Sequence, residues 1–273
     1  MTEHAASTLP DLESQFELAD AGGELERSID DLWSFGDDRV FGGYVAGLAV
    51  VAASSRTPYS VVMASHSLFA APTRPGPVVL RPELVRAGRS TALVRVVIEQ
   101  HEAVVLTSDV WFASAVSSAK GELDTSMDPD PGTCPPIAWL SGPWPFMRYL
   151  DDRAIDYPLS LEEFANGPAR VRLWSRPSQA VDGLFGRVYD VMLLDAHLLD
   201  AAIRPDGILV TEAFSLDLTI NWCDVDGEVG WTCFASHAHR TEGFATCSAT
   251  LSEAAGTVRA VGLQQGRLLP VDR

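Results

Sequence analysis

The chain has 273 residues, of which 47% are hydrophobic, and carries a formal net charge of −17. A chain with this much negative charge repels nucleic-acid phosphates and anionic membrane surfaces. We therefore expect neither nucleic acid nor membrane as a partner. The length favours two domains, because single domains usually run to about 100 to 150 residues.

The four cysteines form no CxxC pair, and the acidic opening residues contain no basic segment followed by an apolar one. The longest apolar stretch, near residues 45–53, is shorter than the about 20 residues that span a bilayer. We therefore expect a cytoplasmic protein without a membrane anchor.

The first half of the chain reads as one helix followed by a meander of strands. Residues 41–56 place small and apolar side chains at helical spacing, which predicts a buried helix. Four Val-rich segments follow and predict antiparallel strands, at residues 61–71, 78–86, 90–100 and 103–113.

The second half repeats this order after a change in composition. Residues 121–166 contain a Pro-rich stretch and predict a linker between domains at residues 1–120 and 167–273. A helix from about Arg187 to Ala202 is predicted next. One helix followed by strands, twice, predicts an α+β fold of two sheets that each wrap a helix. The predicted strands of this half lie at residues 169–176, 212–222, 230–239, 243–253 and 257–269.

A carboxylate interrupts the apolar stripe of the second predicted helix. The stripe contains Val188, Val191, Leu198 and Ala202, and helical spacing places Asp195 in its middle, facing the core. A buried carboxylate needs hydrogen-bond donors or a wet pocket, and such acids concentrate at active sites. Alternatively, a small roll of the helix leaves Asp195 at the edge of the stripe in a structural hydrogen bond.

Two further polar positions carry weaker signals. Residues 213–222 alternate apolar and polar side chains, which predicts one continuous strand with Ser215 on the polar face. No GxSxG motif surrounds Ser215, so the pattern alone favours an ordinary strand residue. Of the adjacent amides Gln264 and Gln265, only one can face a given site, and the pattern leaves open which.

Several sequence runs resemble the acyl-CoA thioesterase II family, including its actinobacterial branch. Over residues 35–115 these are VFGGYVAGLAVVAA, SHSLFAAPTRPG and VRAGRSTALVRVVIEQHEAVVLTSDVWFA. In the second half, LLDAHLLDAAIRPDG, FSLDLTINW and LQQGRLLP are similar to that family in order and spacing. The resemblance implies a double hotdog, with two tandem hotdog half-domains that each wrap an antiparallel sheet around a central helix.

The same resemblance implies hydrolysis of fatty acyl-CoA to free acid and CoA by an activated water, without cofactor or metal. Asp195, Ser215 and Gln264 match the groups that hold and activate the water, with Asp195 as general base. Gly43 and His66 match positions that line the thioester region. The implied partners are acyl-CoA, or another acyl thioester, and further copies of the chain in a homodimer or higher homo-oligomer.

The chain also departs from the family pattern. Residues 221–227, NWCDVDG, replace an aromatic residue followed by His-Arg-Pro, and Tyr44 replaces a common glutamine. A thioester on a carrier protein therefore stays open, and the alternative function is a catalytically silent acyl-thioester-binding protein. A hotdog hydratase or dehydratase is less favoured, because Asp195 and His197 point to different sides of a helix.

Overall fold

The structure is a computed structural model, and it describes residues 9–35, 38–115, 128–223 and 228–271. Within these ranges the α-helices are α1 (Leu12–Gln15), α2 (Gly42–Ser54), α3 (Gly183–His197) and α4 (Asp200–Ile203). The strands described are β1 (Ala19–Ala21), β2 (Glu24–Ile29), β3 (Val61–Phe69), β4 (Gly76–Ala87), β5 (Thr91–Gln100), β6 (Ala103–Ala113), β7 (Leu150–Asp156), β8 (Arg170–Pro177), β9 (Thr211–Ser215), β10 (Asp217–Trp222), β11 (Thr232–Thr241), β12 (Phe244–Glu253) and β13 (Val258–Pro270).

All of these strands form one antiparallel sheet in the order β1-β2-β4-β5-β6-β3-β10-β13-β12-β11-β8-β7, with β9 also on β13. Each half of this order contains the strands of one half of the chain, and the halves join where β3 pairs with β10. The predicted α+β fold, with one helix and a meander in each half, is confirmed. The exact domain boundaries stay a prediction, and the first of them falls outside the described residues.

The strands cover the helices with one face. In β5 every second side chain is buried, including Val94, Val96 and Ile98, as the two-residue period of a strand requires. Helix α2 is buried nearly all round, because the sheet packs on one side of it and α3 on the other. Within the described residues, no helix is long and apolar enough to cross a membrane.

Helices α2 and α3 cross in opposite directions at glycines. A Cβ atom built on Gly47 would lie 3.2 Å from Val188 Cγ1, and one on Gly43 would lie 3.1 Å from Asp195 Cβ. The glycines therefore let the helices approach closely, and they bring the first turn of α2 to the last turn of α3.

The described part of the predicted linker adds a strand to the sheet and packs aromatic side chains into the core. Strand β7 pairs with β8 at the edge of the sheet, and Phe146 is almost fully buried. The ring of Tyr149 stacks on Trp33 with centroids 5.2 Å apart, and Trp33 stacks on Tyr44 of α2 at 4.1 Å. Aromatic burial of this size explains why this Pro-rich segment packs into the core.

We expect Gly47→Val to lower the free energy of unfolding by about 1–3 kcal/mol, because the added side chain overpacks the helix crossing. The built Cβ already lies 2.8 Å from Phe16 Cε1. Urea denaturation measures the loss. Gly230→Val is the matched control, since nothing lies within 4 Å of a Cβ at Gly230. An equal loss in both variants would contradict the role of the crossing.

Candidate active site

The Asp195 carboxylate lies where the last turn of α3 meets the first turn of α2. A Cβ atom on Gly42 would lie only 2.8 Å from Asp195 Oδ2, so this approach requires a glycine. The backbone N–H of Gly43 donates a hydrogen bond to the carboxylate. Phe41 at the N-cap of α2 supplies no side-chain cap, which leaves N–H groups of the first turn directed at this position.

Ser215 reaches Asp195 because the strand is interrupted at Leu216. Ser215 pairs with Gly266 and Thr219 pairs with Leu263, so this side of the ladder contains one extra residue. Such a bulge changes the direction of the neighbouring side chains. The predicted continuous alternation over residues 213–222 is therefore wrong, and Ser215 faces inward instead of joining the polar outer face.

Gln264, rather than Gln265, faces the site. The Gln264 side chain is buried between the inward-facing Gly262 and Gly266, whereas Gln265 is exposed. A Cβ on Gly262 would lie 2.6 Å from Leu194 Cδ2, so the glycines let α3 lie close to β13. This close packing puts the Gln264 amide within reach of Asp195.

The three side chains form a mutual hydrogen-bond group. Ser215 Oγ donates to Asp195 Oδ1 at 3.0 Å, and Gln264 Nε2 donates to the same oxygen at 2.6 Å. Gln264 Nε2 also donates to Ser215 Oγ at 2.9 Å. Gln264 Oε1 is buried and has no partner among the described residues, so the group contains one unpaired acceptor.

Burial raises the pKa of Asp195 to about 6, although the hydrogen bonds from Ser215, Gln264 and the Gly43 backbone act to lower it. A carboxylate with this pKa is mostly ionised at neutral pH and can still take up a proton. It therefore has the acidity expected of a general base that works near neutral pH.

A cavity of about 690 Å³ opens beside this group. Its rim, the more exposed part of the lining, includes Arg39, Glu212 and Phe214. Arg39 forms an ion pair with Glu212, and its guanidinium carbon lies 4.6 Å from the Phe214 ring centroid. A second group of lining residues, called the inner wall here, consists of the buried Leu140, Phe146, Met147, Tyr157 and Ile203 and the partly buried Trp139, Trp144 and Asp200.

Of the predicted site residues, the structure brings together Asp195, Ser215, Gln264 and Gly43, and it leaves His66 apart. His66 is exposed on the outer face of β3, beside Thr219 of β10 with 3.3 Å between Nδ1 and Oγ1. It does not line the cavity. Its neighbours Ser65 and Ser67 in β3 are buried, and successive side chains of a strand point to opposite faces. The His66 side chain therefore points away from α2.

Sequence reasoning missed both ends of the cavity. Arg39 at the rim belongs to no sequence motif that would indicate a binding site. The inner wall comes largely from the segment predicted as a linker, and the tryptophans Trp139 and Trp144 in this segment are the sequence feature that indicates a packed wall. The changed segment at residues 221–227 lies partly outside the described residues.

Comparison with known proteins shows what the chain is similar to. Residues 29–113 match the acyl-CoA thioesterase N-terminal domain. The chain resembles the acyl-CoA thioesterase II family. The predicted resemblance and the predicted enzyme class, a thioester hydrolase, are thereby confirmed. No curated protein matches the chain.

Solved structures with this fold cover nearly the whole chain. A hot dog fold protein of unknown function from Alicyclobacillus acidocaldarius has a TM-score of 0.79 and 18% identity, over 94% of this chain and 97% of that one. The tesB protein of Mycobacterium avium subs. paratuberculosis has a TM-score of 0.76 and 17% identity, over 94% of this chain and 98% of that one. Acyl-CoA thioesterase II TesB2 of Mycobacterium marinum has a TM-score of 0.73 and 19% identity, over 94% of this chain and 98% of that one. At these identities the likeness shows the fold, and the predicted hotdog fold is confirmed.

We expect Asp195→Asn to raise the free energy of unfolding at pH 8 by about 1–3 kcal/mol. The folded-state pKa of about 6 exceeds the ordinary carboxyl value of 3.8, so ionised Asp195 destabilises the fold above pH 6. This destabilisation decreases as the pH falls from about 6 toward 3.8, because Asp195 is then protonated in the folded protein. Urea denaturation at pH 8 and pH 5 should show a smaller gain at pH 5. A gain that does not change with pH would contradict the ionisation argument.

Proposed function

We propose that the chain hydrolyses fatty acyl-CoA to the free acid and CoA by direct attack of a water held by Asp195, Ser215 and Gln264. The observation that supports this best is the Asp195 carboxylate with two side-chain donors and, beside it, the unpaired acceptor Gln264 Oε1. Together these groups offer a base, a hydroxyl and an amide to one water molecule.

In the proposed reaction, ionised Asp195 takes a proton from the water as its oxygen bonds to the thioester carbon. The carbonyl oxygen becomes negatively charged, and the N–H of Gly42, which lines the cavity at the start of α2, stabilises it together with the helix dipole. When the tetrahedral intermediate collapses, the carbon–sulfur bond breaks, and Asp195 returns the proton to the leaving thiolate. Ser215 forms no covalent bond in this scheme.

The alternatives find less support. A hydratase or dehydratase needs a histidine beside the carboxylate, and none of the residues that line the cavity is a histidine. His197 instead contacts Asp152 and Asp200. A silent binding protein has no need for a buried Asp195 whose raised pKa costs stability, so the observed trio favours an enzyme.

The two ends of the cavity suit the two ends of acyl-CoA. The inner wall is mainly apolar and aromatic and can bury an acyl group, while the rim carries Arg39. We propose that Arg39 also contacts the CoA phosphates, although it already pairs with Glu212. Self-association and a cytoplasmic location stay predictions.

We expect Asp195→Asn to lower kcat/KM for acyl-CoA by about 10²–10⁴, because the amide cannot accept the water proton. In the parent, kcat/KM should rise with pH around a midpoint near 6, where Asp195 loses its proton. Thiol release with a colour reagent measures both. Ser215→Thr is the matched control, since it keeps the hydroxyl and should keep most of the activity. Full activity in Asp195→Asn would refute the mechanism.

We expect Arg39→Ala to raise KM for acyl-CoA by about tenfold with little change in kcat, because a phosphate contact is lost. The KM for the same acyl group on phosphate-free pantetheine should stay unchanged. Arg86→Ala, on β4 and outside the cavity lining, is the control. An equal rise in KM for both thioesters would mean that Arg39 shapes the cavity without contacting phosphate.

A further inference from the structure

A chain of buried polar side chains that the proposed reaction does not use lies at the inner wall of the cavity. His197 Nε2 lies 3.0 Å from Asp152 Oδ2, and His197 Nδ1 lies 3.0 Å from Asp200 Oδ2. The Tyr157 hydroxyl donates to the same Asp200 oxygen at 2.7 Å. His197 itself is fully buried. Two of the members, Tyr157 and Asp200, line the cavity.

The network holds His197 in its charged form. Burial by itself lowers the pKa of this imidazole, but the charge of Asp152 and the hydrogen bonds to Asp152 and Asp200 raise it to about 9. With both ring nitrogens protonated, His197 donates one hydrogen bond to each carboxylate. The direction of the Asp200 side chain is therefore set by two donors, the imidazolium and the Tyr157 hydroxyl.

Both of these donors meet Oδ2 of Asp200, and no donor among the described residues meets its Oδ1. The side chain keeps 14% of its surface exposed, and its neighbours along the cavity include the apolar Leu199 and Ile203. One carboxylate oxygen is thus presented to an otherwise largely apolar wall. A plain alkyl chain in this place would remove water from that oxygen without replacing its hydrogen bond, which is unfavourable.

We propose that the acyl group preferred by this cavity carries a hydroxyl toward its distal end, which donates a hydrogen bond to Asp200 Oδ1. This inference rests on the proposed function, because Asp195 marks the carbonyl end of the acyl group. Asp200 follows Asp195 by five residues. Asp195 belongs to α3 and Asp200 begins α4, but the joining residues Leu198 and Leu199 keep helical backbone angles. At a rise of about 1.5 Å per residue, the Cα atoms of Asp195 and Asp200 are therefore separated by roughly 7–8 Å along this direction. The hydroxyl therefore lies several carbons beyond the carbonyl, farther than a 3-hydroxyl.

A purely structural role predicts a different result. The network also ties α3 to the sheet, since Ser175 Oγ of β8 donates to Asp152 Oδ1 at 2.5 Å. If stabilising this junction were its whole purpose, changes at Asp200 would alter stability but not the choice between substrates. The decisive quantity is therefore the ratio of two substrates measured on the same protein.

The first experiment compares kcat/KM for hexanoyl-CoA, 3-hydroxyhexanoyl-CoA and 6-hydroxyhexanoyl-CoA. The parent should prefer the distal hydroxyl by about tenfold, as expected for a hydrogen bond to a charged group. In Asp200→Leu the ratio of kcat/KM for 6-hydroxyhexanoyl-CoA to that for hexanoyl-CoA should fall to about one. Tyr157→Phe, which keeps the Asp200 carboxylate, should retain the preference. Equal kcat/KM values in the parent, or a preference that survives in Asp200→Leu, would overturn the proposal.

The second experiment separates this inference from the proposed function and needs no variant that folds. Non-hydrolysable hexyl and 6-hydroxyhexyl thioethers of CoA are titrated into the parent, and the fluorescence of Trp139 and Trp144 in the inner wall reports binding. About tenfold tighter binding of the hydroxylated thioether supports the inference even if no thioester is hydrolysed. Equal affinities overturn it even if hydrolysis is fast.

Discussion

The meeting of the first turn of α2 with the Asp195 carboxylate is the contact on which the candidate site depends. It exists because three positions of α2 lack side chains: Gly42 and Gly43 at the carboxylate and Gly47 at the crossing with Val188. The uncapped N-terminus then supplies both an N–H donor to Asp195 and a positive dipole end. A base and a site for developing negative charge thus share one junction between the two halves of the molecule.

The same junction lowers the stability of the fold. Donors from Ser215, Gln264 and Gly43 offset only part of the cost of burying Asp195, so its pKa stays raised at about 6. A well-paired structural carboxylate would have the opposite shift. Gln264 Oε1 adds an unpaired buried acceptor. Polar groups that lack hydrogen-bond partners and lie together beside a cavity are expected at a reaction site. There, a substrate and a water complete the hydrogen bonds.

The two halves share an architecture but not this site. Helix α2 contains no acidic residue over its whole length, so it cannot present a carboxylate to the first turn of α3. In that region Arg187 of α3 is buried near Asp190, which accepts hydrogen bonds from Trp222 and Arg259. Buried charges there are paired with one another, which suits a structural role. Repetition of the fold therefore leaves only one of these two helix ends arranged for chemistry.

The sequence by itself determined the two long helices and most of the strands in their order, because helical and strand periodicities are local properties of the chain. It did not predict β1, β2 or β7. It also placed Asp195 on the apolar stripe of its helix, and the resemblance singled out Ser215 and Gln264. Only the tertiary structure decided which side each polar group faces. The extra residue at Leu216 turned Ser215 inward, and the pairing register of β13 chose Gln264 over Gln265. His66 fell on the outer face, and the Pro-rich segment became a cavity wall. These outcomes depend on strand register and on packing between distant segments, which no local pattern records.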